Sequence, residues 1–202
     1  MRKHLAALVF AATLLACNGE SRSPVGPASP DPLPAIVDAT GGGREGFYFL
    51  QPTVTKPGIA GPFDATLAPR ARVCTLDASR TACGSVTLAT IPTGSGPGSL
   101  TLDPSNGTFT GQWSSPATLE LSTASGSETR YRLEILVDVG ATTVTLGYAD
   151  LWITDKERDV KPDGYVDLAP GKTLVIRFGI LPGTVGYVVV TPDPVQLAIG
   201  GT

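Results

Sequence analysis

Glycine and proline punctuate this chain so densely that only short elements fit between them. The sequence holds 24 glycines and 18 prolines, and Thr and Val recur in short alternating runs between the breaks. Short alternating runs joined by Gly/Pro turns are the pattern of an all-β domain. No stretch after the first twenty residues keeps an apolar repeat of helical period over a useful length.

The most informative run is Arg130-Tyr131-Arg132-Leu133-Glu134-Ile135-Leu136-Val137. Side chains alternate across a strand, so Tyr131, Leu133, Ile135 and Val137 share one face while Arg130, Arg132 and Glu134 take the other, facing water. Leu174, Ile176 and Phe178 repeat the pattern, with Val175 and Arg177 opposite. Further strands are expected at Phe47–Leu50, Val73–Leu76, Val86–Ile91, Ser99–Leu102, Thr108–Trp113, Thr118–Leu121 and Val144–Ile153. Two sheets burying such faces against each other give an antiparallel β-sandwich over residues 44–180. A chain of that length buries about two-thirds of its unfolded surface without help from a cofactor, and none is expected.

The N-terminus is of a different kind. Arg2, Lys3 and His4 precede an apolar run from Leu5 to Ala16, broken only by Thr13. The run is shorter than the ~20 apolar residues a spanning helix needs. A basic start, a short apolar centre and a small residue before the cut make a secretory signal over residues 1–16. Leu14-Leu15-Ala16-Cys17 also resembles the lipobox of bacterial lipoproteins. The resemblance implies that Cys17 is acylated, released from Ala16 and becomes the first mature residue. One acyl chain binds a membrane marginally, whereas two or three hold firmly. Asn18, in place of an Asp that would favour inner-membrane retention, points to the outer membrane.

Cleavage would also change the chemistry available. It removes two of the fifteen basic residues and the sole histidine, leaving thirteen basic against eighteen acidic residues, a balance near −5. Without histidine there is no Ser-His-Asp or Cys-His catalysis and no histidine-ligated zinc. An acidic chain without a basic stripe is a poor partner for nucleic acid. Residues 17–43, with Pro24, Pro27, Pro30, Pro32, Pro34 and Gly41-Gly42-Gly43, read as a disordered tether. It would reach about 80 Å if polyproline-like and about 30 Å as a coil.

Candidate site residues are few. Cys74 and Cys83 form an even pair in an exported chain and should be oxidised, closing a hairpin tip. The loop-entropy relation gives roughly 2.7 kcal/mol for such a bond. Asp159, Asp163 and Asp167 with Gly164 have the spacing of a calcium loop. Lys161, Pro162 and Pro170 stand where ligands or freedom are needed, so a plain turn is the simpler reading. Trp113 and Trp152 could form a sugar-stacking platform, although aromatics within strands are usually core. Gly94-Ser95-Gly96-Pro97-Gly98 lacks the lysine and helix of a phosphate loop. No pair of carboxylates stands out as a glycosidase-type acid and base.

Two further resemblances concern the rest of the chain. Tyr187-Val188-Val189-Val190-Thr191-Pro192 and Ile199-Gly200-Gly201-Thr202 resemble the opening of a bacterial group 2 immunoglobulin-like repeat, so residues 181–202 read as a linker and the first strand of a truncated repeat. Phe47-Tyr48-Phe49-Leu50, Gly61-Pro62-Phe63-Asp64, Cys74 with Cys83-Gly84, Leu146-Gly147-Tyr148-Ala149-Asp150 and Gly171–Phe178 resemble a poorly characterised domain of exported bacterial proteins that accompanies such repeats. That resemblance implies an Ig-like or related sandwich and brings no catalytic residues. The expectation is a non-catalytic, lipid-anchored envelope module for adhesion, display or spacing, held to the membrane by its anchor and meeting an envelope protein or glycan. A carbohydrate-binding envelope lipoprotein is the alternative.

Overall fold

A computed structural model describes residues 35–55, 62–123, 129–155 and 164–185. The signal, Cys17 and the group 2 repeat strand lie outside these residues. The described residues hold ten strands and no helix: β1 (Ile36–Val37), β2 (Phe47–Phe49), β3 (Arg70–Leu76), β4 (Cys83–Pro92), β5 (Thr101–Asp103), β6 (Thr108–Ser114), β7 (Tyr131–Val139), β8 (Thr142–Ile153), β9 (Val166–Leu168) and β10 (Thr173–Ile180). One sheet has the order β1-β8-β7-β3-β4, with β9 also on β8; the other has the order β2-β10-β6-β5. All pairs are antiparallel except β8 with β9. The protein is an all-β sandwich.

Its core lies where the alternation places it. Tyr131, Leu133, Ile135 and Val137 of β7 are buried against Leu174, Ile176 and Phe178 of β10 and the rings of Phe47, Phe49 and Phe109. Phe109 stacks on Phe178 with centroids 5.3 Å apart, and Phe47 meets Phe49 edge-on at 5.0 Å. Aromatic pairs of this kind add about 0.5–1.5 kcal/mol beyond their buried area. The β7–β8 hairpin closes on two residues, Gly140 and Ala141, between the paired Val139 and Thr142. Gly140 has φ +60°, the left-handed conformation such a tight hairpin demands.

Three expectations need correction. The sandwich begins before Arg44, because Ile36 and Val37 pair with Ala149 and Tyr148 of β8. Asp38 next to them is 2% exposed and accepts from the backbone N–H of Thr40, Gly41 and Phe49, tying residues 38–43 into the domain. Proline density hid this short strand, whose partner lies more than a hundred residues away in sequence. Thr118–Leu121 is not a strand; Leu119 is buried, but the segment runs as turn and irregular chain. Third, Arg132 and Glu134 do not face water: they are 1% and 6% exposed.

The sandwich has two distinguishable ends. Backbone bonds from Thr154 to Leu168, Ser115 to Lys172 and Ser122 to Ile153 gather the end of β8, the end of β6 and the start of β10 at one of them. Ile180 pairs with Phe47 at the other, where Leu181 bonds to Gly46 and Thr184 receives the Arg44 guanidinium. Ala35, whose carbonyl accepts from Asp150, lies partway along β8, and by Ala39, whose amide donates to Phe47, the chain is at the second end, where Thr184 also sits. Eight residues of β10 between the two ends span about 27 Å at 3.4 Å per residue.

Candidate functional site: the charged outer face

The first sheet has a second, outward face, and it carries most of the buried charge. Register places Arg72 of β3, Glu134 of β7 and Tyr148 of β8 in one line across the strands, and Cys74, Arg132 and Asp150 in the next. Side chains of both lines leave the face opposite the core, since their strand neighbours Val73, Leu133 and Ala149 point inward. Trp152 follows Asp150 on that face after one more alternation, opposite Asp167 of β9.

Arg132 is the centre of the cluster. Its Nε and Nη2 donate to the two oxygens of Asp150 at 2.6 and 3.1 Å, and its Nη1 donates to the carbonyl of Thr81 at 2.9 Å. Its guanidinium carbon lies 3.5 Å from the centroid of Tyr148, in cation–π contact. Arg72 makes two bonds to one oxygen of Glu134, 3.2 Å from Nε and 2.5 Å from Nη2. Burial pushes the Asp150 carboxyl above its ordinary range, with the Arg132 bond and charge pulling the other way. Burial likewise raises the Tyr148 hydroxyl.

The Thr81 carbonyl comes from the tip of the β3–β4 hairpin, residues 77–82, which is folded over this face. Two devices hold the tip. Cys74 and Cys83 are joined in a disulfide, as their export was expected to make them. The Asp77 carboxylate accepts from the Thr81 and Ala82 amides and the Ser79 hydroxyl, and the Ser79 bond is the main reason its carboxyl sits below the usual range. Cys74 and Cys83 also fall beside Glu134: the two sulfurs and a Glu134 oxygen lie within 4.8 Å of one another.

The tryptophan platform does not exist in this fold. Trp113 is 6% exposed and belongs to the core between the sheets, whereas Trp152 is 4% exposed on the outward face. They lie on opposite sides of the first sheet, so no ligand can stack on both. Trp152 is covered by Arg130, 4.8 Å over its ring, and by the edge of Tyr165 at 5.6 Å; its Nε1–H makes no hydrogen bond. Of the calcium-loop residues, Asp159 and Asp163 lie outside the described residues. Asp167 sits exposed on β9 and lines a cleft of about 440 Å³ with Asp38, Thr53 and Tyr165.

Each buried carboxylate among the described residues is held in place: Asp38 by a turn, Glu134 by Arg72 and Asp150 by Arg132. Paired this way they clamp neighbouring strands. Arg132 and Asp150 were invisible to sequence reasoning as a pair. The only available signal was opposite charge at outward positions of two long strands, and it becomes legible once the register is known. No protein-family model, curated protein or solved structure matches the chain.

Proposed function

We propose that the protein is a non-catalytic, lipid-anchored module of the bacterial cell envelope, attached through Cys17 and serving to display or space a domain on its C-terminal side. The observation that supports this reading is the run Leu14-Leu15-Ala16-Cys17, which closes a short apolar stretch after a basic start. The disulfide and the arginine–carboxylate clamps support it, since a spacer must keep its shape outside the cell. Among the described residues no helix is long and apolar enough to cross a membrane.

The test is an epitope tag placed after Val185 in a Gram-negative host, probed on intact cells with antibody and external protease. Display predicts that the tag is reached on whole cells and that Cys17→Ser releases it. A tag that stays with the membrane but is inaccessible on intact cells would replace display with a periplasmic role. The glycan-binding alternative rested on Trp113 and Trp152 sharing an exposed face, and no observation now favours it.

A further inference from the structure

We propose that the Cys74–Cys83 pair, when reduced, forms with Glu134 a site for a thiophilic divalent cation, zinc above all. The site would be exclusive with the disulfide, because both use the same two sulfurs. It depends neither on the anchor nor on display at the cell surface.

Three features of the outward face carry it. First, a Glu134 oxygen lies within 4.8 Å of both sulfurs, which the disulfide itself holds side by side. A tetrahedral zinc with bonds of about 2.3 Å to sulfur holds its two sulfurs about 3.8 Å apart. The Cα atoms of the two cysteines are 5.7 Å apart, a spacing from which side-chain rotation alone reaches that geometry. Second, Glu134 has a free oxygen. Both of its bonds from Arg72 go to Oε2, leaving Oε1 for another partner. Third, the charges balance. In the oxidised protein Glu134 and Arg72 cancel. Two thiolates add two negative charges, and a divalent cation restores neutrality, which a buried cluster requires. Arg132 does not disturb the sum, since Asp150 already answers it. Water would complete the four-coordinate shell.

The chemistry needs one co-reactant, a dithiol. A dithiol reductant gives two electrons to the Cys74–Cys83 bond and leaves as a disulfide, and each protein sulfur takes a proton. Zinc then displaces both thiol protons to solvent, because the thiolate is the form that binds metal. The soft sulfur pair selects zinc or cobalt over magnesium or calcium.

The experiment uses the full chain, reduced and freed of reductant under anaerobic conditions, with Co²⁺ and Zn²⁺ as probes. The proposal expects one Co²⁺ per chain with a thiolate-to-cobalt charge-transfer band, displaced by Zn²⁺, and no such band in the oxidised protein. Zinc should shield Cys74 and Cys83 from alkylation. Glu134→Gln should weaken zinc binding by at least ~10-fold. Failure of the reduced wild type to bind, loss of its β-sheet circular dichroism on reduction, or a folded Glu134→Gln variant that binds as well as wild type would each overturn the proposal.

Discussion

Arg132 forks onto Asp150 across two neighbouring strands, and both side chains are almost wholly inside the protein, 1% and 7% exposed. An ion pair so placed has lost its water on both sides. Its worth therefore depends on keeping both partners, along with the Tyr148 face and the Thr81 carbonyl that complete it.

Removing one partner should accordingly cost far more than removing both. Arg132→Met leaves a buried carboxylate without its counter-charge and is expected to destabilise the fold by about 3–5 kcal/mol. The double change Arg132→Met with Asp150→Leu should recover most of that loss. Urea denaturation of the three proteins checks both statements, and equal losses in the single and double variants would refute the clamp.

Titration should separate Asp150 from Asp138. Burial raises Asp150 above the ordinary 3.8, so its contribution to stability is complete below that pH and is lost as pH rises through the folded-state value. The Arg70 and Thr143 bonds lower Asp138, so its contribution is present above 3.8 and is lost as pH falls through the lower folded-state value. Carboxyl-carbon NMR should find the Asp150 midpoint above 3.8 and the Asp138 midpoint below it.

The disulfide secures the hairpin tip that covers the Arg132 cluster. Replacing Cys74 and Cys83 together by Ser should lower stability by roughly 2.7 kcal/mol. Amide exchange at residues 77–82 should rise more than exchange in β7. Unchanged exchange at the tip would mean that the Asp77 turn holds it alone.

Gly147 of β8 lies beside β1, its hydrogen-bonded neighbour in the same sheet. A Cβ there would strike the Val37 carbonyl and the Phe47 ring, both too close to be avoided by rotating a side chain end. Gly147→Ala should cost about 1–3 kcal/mol and loosen β1, visible as faster exchange of the Asp150 amide that bonds to Ala35.

What the sequence disclosed, and what it withheld, divides along the range of the interactions. The alternation in β7 and β10 showed which residues enter the core, because that pattern is local and the pleat imposes it. The same rule misjudged Arg132 and Glu134: alternation tells which way a side chain leaves the strand, not what comes to lie over it. Their cover is a hairpin tip some fifty residues away, together with charges whose pairing depends on register. Trp113 and Trp152 failed as a platform for a related reason. Both occupy strands, but which sheet faces each one depends on the packing. β1, of two residues, gives no period to read, and β9 lies in the stretch whose aspartate spacing resembles a calcium loop.

Whether lipid holds this chain at Cys17 is decided by mass spectrometry of the mature N-terminal peptide from a Gram-negative host. A lipid anchor requires a peptide that begins at Cys17 and carries acyl chains, and an unprocessed N-terminus in Cys17→Ser. A mature N-terminus at any other residue, or a Cys17 bearing no lipid, would rule the anchor out.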